Sequence, residues 1–131
     1  PGGALIIGVS AGFVCFYATV YIKQKLKIDD SLDVFPVHGV GGILGTLLAG
    51  VFSATSLGVF SGFGFAEGIS TMGEQVGVQF IGIISTLVYT AVVTYILLKL
   101  VALMTGGLRV DEEQEVNGLD QVEHEESGYN L

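Results

Sequence analysis

The sequence predicts an all-α, polytopic helical membrane protein. Half of the 131 residues are hydrophobic, and the mean hydropathy is +0.69. Residues 1–22, 34–66 and 75–98 carry no charged side chain. A helix that crosses a bilayer needs about 20 mostly apolar residues. Each stretch meets that length, and the middle one leaves residues over for a loop. Twenty glycines, a high count for this length, add a third sign, because small residues let helices pack closely in lipid.

The first helix is expected at about residues 4–22, followed at once by Lys23, Lys25 and Lys27. The second is expected at about 34–52. Asp33 is placed to cap it, since a carboxylate there can accept from the free N–H groups of the first turn. Pro36 then falls inside that turn, where its missing N–H costs little. A Gly- and Ser-rich connection without a basic residue covers 53–73. The third helix is expected at about 75–104, stopping at Gly106 and Gly107. The membrane region is therefore 1–106, and 107–131 is an acidic tail.

Charge sets the orientation. The net charge is −8. Residues 1–110 hold five bases and five acids, so the excess lies in 111–131, which has no Lys or Arg. Short cytoplasmic loops are enriched in Lys and Arg. Lys23, Lys25 and Lys27 place the first loop inside, as Lys99 and Arg109 do the end of the third helix. Glu67 and Glu74 fall outside. The N-terminus of this chain is thus expected outside and the tail in the cytoplasm. No basic patch suits nucleic acid. The pattern holds no nucleophile with a base and no Cys/His cluster at metal spacing, so neither an enzyme nor a metal site is expected, and no cofactor is implied. Cys15 reads as a small packing residue. The chain starts at Pro1 without a basic leader, so it reads as part of something longer rather than as a secretory precursor.

His38 is the residue that carries chemistry. It lies five positions past Asp33, about 7 Å along a helix. An ionisable side chain at such a depth marks a functional site, although a histidine there can also simply bond a neighbouring helix. Val34 at i−4, and Gly41, Gly42 and Gly45 at i+3, i+4 and i+7, share its helical face. Ile43, Leu44, Leu47 and Val51 fall on the opposite side. A neutral imidazole both donates and accepts a hydrogen bond, and it can pass a proton. An ion faces an idealised cost of order 20 kcal/mol in a low-dielectric layer. A histidine in an apolar passage therefore suits a substrate that sheds a proton to cross. Asp30 and Asp33 lie at the inner mouth, either as caps paired with Lys25 or Lys27 or as carboxylates that shape a vestibule. Gly8/Gly12, Gly41/Gly45 and Gly73/Gly77 have the spacing of close helix packing, on each other or on helices outside this chain.

The string Asp30-Ser-Leu-Asp-Val-Phe-Pro-Val-His38-Gly-Val-Gly-Gly-Ile-Leu-Gly-Thr-Leu-Leu-Ala-Gly-Val-Phe52 resembles the tenth transmembrane helix of the ammonium transporter family, relatives of the Rhesus proteins. The tail agrees separately, through Gly107-Leu-Arg-Val, Glu112-Glu-Gln-Glu, Gly118-Leu-Asp, His124 and Tyr129. The resemblance covers the whole chain, as the last three of eleven helices plus the cytosolic tail. It implies a homotrimer in the cell membrane with one hydrophobic pore per subunit. Ammonium is deprotonated outside and the neutral species passes two hydrogen-bonded histidines, of which His38 matches the second. Val34 matches a pore-lining position, and Asp30 and Asp33 match carboxylates at the cytosolic entrance. Pro36 departs from the glycine of some relatives. Arg109, Gly118, Leu119, Asp120 and Tyr129 match the regulatory tail, which in the family couples the three pores. PII-type signal proteins dock on that face in many prokaryotes. The phosphorylated threonine of plant relatives has Val122 in its place. Two other readings remain: an ammonium sensor that signals through a bound partner, and a membrane anchor without conduction. On composition alone, 111–131 reads as a solvated and disordered end, whereas Gly118-Leu119-Asp120 argues for some order.

Overall fold

Residues 1–128 are described by a computed structural model, and the chain divides into two compact units, 1–87 and 88–131. The architecture is all-α. Among the described residues, three helices are long and apolar enough to cross a membrane: α1 (Gly2–Lys25), α2 (Phe35–Phe52) and α3 (Met72–Thr105). Two short ones follow, α4 (Glu112–Asn117) and α5 (Leu119–His124).

In the first unit, α1 and α2 form an antiparallel hairpin. At one end Gly3 lies against Phe52, where an added Cβ would come 3.1 Å from the Phe52 Cβ. Towards the other end the Gly41 backbone lies over Cys15, at 3.0 Å from an added Cβ to Sγ. The start of α3 packs on the end of α2 at Gly50, against the Val76 backbone and the Gln79 side chain. Of the glycine pairs expected to bring helices together, only Gly41 meets another element. Gly8, Gly12, Gly45, Gly73 and Gly77 have nothing within 4 Å of an added Cβ. The close approaches are made instead by Gly3 and Gly50, which no regular spacing marks.

Both helix ends at the hairpin turn are wider than an α-helix. Tyr21–Lys25 and Phe35–Val40 are π-helical. At the first, the amide of Leu26 reaches back five residues to the Tyr21 carbonyl at 3.1 Å. In the second, Pro36 is fully buried and has no amide hydrogen to give. The turn around it loses an ordinary bond, and the neighbouring residues adopt the wider i→i+5 pattern. Lys27 and Asp33, at φ 52° and 56°, take the left-handed conformation and reverse the chain between the two helices.

The connection after α2 is compact. The Ser53 hydroxyl donates to the Gly50 carbonyl at 2.8 Å, and the Gly64 amide returns to the Ser53 carbonyl at 2.9 Å. Between them a 3₁₀ segment, Thr55–Phe60, is broken at Gly58, whose φ of 61° suits glycine. The α3 helix begins earlier than the apolar run alone predicts, because Thr71 and Glu74 cap each other's backbone. The Glu74 amide donates to the Thr71 hydroxyl at 3.2 Å, and the Thr71 amide donates to the Glu74 carboxylate at 3.0 Å. Buried Gln75 accepts from the Ala66 amide at 2.9 Å and ties the connection to the helix.

Among the described residues of the three long helices, only Gly3, Ile22, Pro36, Gly50, Gln75 and Ile83 are buried. Phe13, Phe16, Tyr17 and most of the leucines are open. Apolar side chains in this number belong against lipid or other helices.

In the second unit, the tail is folded as far as it is described, which corrects the disorder expected from composition. Asp111 and Gln114 form a reciprocal capping box at the start of α4. Arg109 donates to both oxygens of Glu115, at 2.8 and 3.0 Å. Gly118, at φ 93°, turns the chain into α5. Asp120 then accepts from the Gly128 amide at 3.2 Å and fixes the segment after α5.

Candidate functional site: a histidine on a π-turn

His38 sits in the π-helical start of α2 with its side chain exposed. It opens onto a groove of about 300 Å³ between α2 and the first half of α3. From α2 the walls are His38, Gly39, Gly42, Ile43 and Thr46, and from α3 they are Gly82, Ile83, Thr86 and Leu87. The glycines keep the groove open, and Ile83, at 9% exposure, forms its floor. Three side chains bring polar atoms to an otherwise apolar lining: the imidazole and two threonine hydroxyls.

The groove face of α2 is centred one residue past the imidazole: Gly39, Gly42, Ile43 and Thr46 fall at i, i+3, i+4 and i+7, with His38 beside them. Ile43, expected opposite His38, therefore lines the groove. Gly41, expected beside His38, faces Cys15 on α1 instead. Val34 is 52% exposed and does not line the groove. Thr46 and Thr86 were not singled out from the sequence. Their only signal was a hydroxyl within an apolar run, Thr46 being eight positions after His38.

Asp30 and Asp33 exchange their expected duties. The Asp30 carboxylate, not that of Asp33, caps α2: it accepts from the amides of Val34 at 2.9 Å and Phe35 at 2.8 Å. These N–H groups, the Phe35 one first, hold the Asp30 carboxyl below the usual carboxylate value, opposed by burial and helped least by the charge of Lys23. Asp33 pairs with Lys23 at 2.8 Å, not with Lys25 or Lys27. Its backbone carbonyl accepts from the Val37 amide at 3.0 Å. The Asp30 carboxylate and the Asp33 backbone carbonyl thus hold Val34, Phe35 and Val37, three of the four residues that lead to His38.

Of the tail residues, Arg109 holds α4 through Glu115, Gly118 makes the turn, Leu119 opens α5 and Asp120 closes it. Tyr129 lies outside the described residues. No group of three or more metal-binding side chains is present among the described residues.

Residues 1–129 match the Ammonium Transporter Family. The chain belongs to that family. It is 46% identical to the ammonium transporter of Mycobacterium tuberculosis over 98% of its own length and 27% of that protein's. To the putative ammonium transporter of Methanothermobacter thermautotrophicus it is 42% identical, over 99% of this chain and 31% of the relative. To the ammonium transporter of Bacillus subtilis it is 36% identical, over 98% and 31%. The chain therefore spans about a third or less of the length of these family members. No solved structure matches it. The relatives are named as transporters, in keeping with three membrane-crossing helices and with no enzymatic role.

Proposed function

We propose that this chain is the C-terminal part of an ammonium transport channel: its last three membrane helices and its cytosolic tail. His38 is one of the paired pore histidines. Ammonium gives up a proton outside, and the neutral molecule passes the imidazole, which accepts from it and donates to it in turn. The supporting observation is the His38 groove in a chain of this family. Its apolar walls disfavour an ion, and its few polar atoms suit a small hydrogen-bonding molecule. Val34 belongs to the approach below His38. Asp30 and Asp33, with the lysines of the hairpin, form the inner mouth. By the positive-inside rule the N-terminus of this chain is outside, in the cell membrane, and the tail is in the cytoplasm. The active unit is a homotrimer, in which Arg109, Gly118, Leu119, Asp120 and Tyr129 belong to a coupling tail and a PII-type protein is the cytosolic partner.

The test is the current evoked by an ammonium pulse, or ammonia flux where no charge moves, in proteoliposomes holding the full-length parent. Potassium is the control. Selective ammonium current or ammonia flux, lost in His38→Ala while the protein still assembles, is the expected result. Equal responses to both ions would overturn the reading. A silent parent that still binds a cytosolic partner in an ammonium-dependent way would favour the sensor.

A further inference from the structure

We infer that Lys23 is a positioning residue for His38, acting through Asp33, an inference that rests on the transport reading above. The two residues lie on opposite sides of the hairpin turn, Lys23 in the π-turn that ends α1 and Asp33 two residues before the start of α2. Their ion pair spans 2.8 Å. The Asp33 oxygen that faces Lys23 is withdrawn from solvent and has no hydrogen-bond partner, so the ion pair is what meets it. Lys23 is the cation that faces it, in a pair that is partly exposed, at 40% and 32%, and taking the lysine ammonium away removes that oxygen's charge partner.

Backbone geometry carries the effect to His38. Asp33 holds a left-handed conformation that a non-glycine residue adopts at a cost, so something must hold it there. Its own carbonyl receives the Val37 amide, next to His38. Asp30 fixes Val34 and Phe35, and Pro36 is buried. On the far side, the Cys15 thiol approaches the Val37 carbonyl at 3.9 Å, and Gly41 rests on the same sulfur. The π-turn with its imidazole is thus moored to α1 on both sides, by a charge before it and by a close contact after it. A π-turn has weaker inherent geometry than an α-turn. Its aim depends on such moorings, and of the two the ion pair is the stronger electrostatic link.

The experiment uses the full-length parent with Lys23→Met, Lys23→Arg and Asp33→Asn, and the exchange Lys23→Asp with Asp33→Lys. Two readouts are taken: ammonium conduction in proteoliposomes, and the rate at which diethyl pyrocarbonate modifies His38, followed by mass spectrometry on the assembled protein. In Lys23→Met and Asp33→Asn, conduction is expected to fall about 10-fold or more, as for a reacting group displaced by a fraction of an ångström to an ångström. The His38 modification rate is expected to change several-fold in the same variants. Lys23→Arg should keep both near the parent's, and the exchange should restore a substantial part of both. Parent-like conduction and modification in an assembled Lys23→Met protein would overturn the inference. So would an assembled exchange variant no better than the single changes. A parent that conducts no ammonium would sink the transport reading instead, and the modification series would still decide whether Lys23 aims the imidazole.

Discussion

The Asp30 carboxylate accepts the Phe35 amide at 2.8 Å, across five residues and around a left-handed Asp33. This bond and its companion to Val34 set where α2 begins. They place the cap three residues further out than the Asp33 position that ordinary capping rules favour, because Asp33 is engaged with Lys23.

A pH dependence follows, with its sign fixed. The carboxyl of Asp30 titrates lower in the folded protein than its ordinary 3.8. Its stabilising contribution is complete above that ordinary value and is lost as the pH falls through the lowered one. The advantage of the parent over Asp30→Asn in thermal unfolding should therefore shrink between about pH 5 and pH 2. A constant difference across that window would mean that the charge of Asp30 does not support the cap.

The contact between Gly41 and Cys15 should appear as coupling. Gly41→Val forces extra atoms against the sulfur and should destabilise the hairpin by about 1–3 kcal/mol. Cys15→Ala, combined with it, should return about 0.5–2 kcal/mol of that loss. Strictly additive unfolding free energies would show that the two helices part before the contact matters.

If the groove is the conduction path, its hydroxyls matter as single hydrogen-bonding groups. Thr46→Val and Thr86→Val keep the shape and remove the polar atom. Each should slow conduction by about 2- to 10-fold without loss of assembly, the worth of one ordinary hydrogen bond. Unchanged flux in both variants would move the path away from this groove.

In the tail, the cap should outweigh the ion pair. Arg109 and Glu115 are largely exposed, and such pairs contribute about 0–1 kcal/mol. Loss of the Asp111 cap costs about 1 kcal/mol. Hydrogen exchange in the full-length protein should therefore speed up at the Gln114 amide by about 5-fold in Asp111→Ala, and by less in Arg109→Ala. The reverse order would mean that the Arg109 fork holds α4 in place.

The all-α membrane architecture was legible because uncharged runs long enough to span a bilayer leave little alternative. His38 stood out for a similar reason, as an ionisable group in an apolar run. The surroundings of His38 were less legible, since a helical face centred on His38 puts Gly41 beside it and Ile43 opposite, whereas the groove follows Gly39, Gly42 and Thr46. Ile43 therefore lines the groove and Gly41 meets Cys15. The Thr71–Glu74 and Asp111–Gln114 boxes were written in the sequence at capping spacing, and only the pull of composition obscured them. The exchange of roles between Asp30 and Asp33 depends on a left-handed residue that no local pattern announces.

A π-turn is an α-helix carrying one residue more than its ladder needs. Loss of one residue within Phe35–Val40 would let the widened turn relax to an ordinary one, while Gly41–Phe52 stayed as they are. The hairpin can therefore absorb a change in length at its tip without re-registering the rest of the helix. Such a change would disturb the Asp30 cap and the Lys23–Asp33 pair, so the length of this tip is tied to the aim of His38.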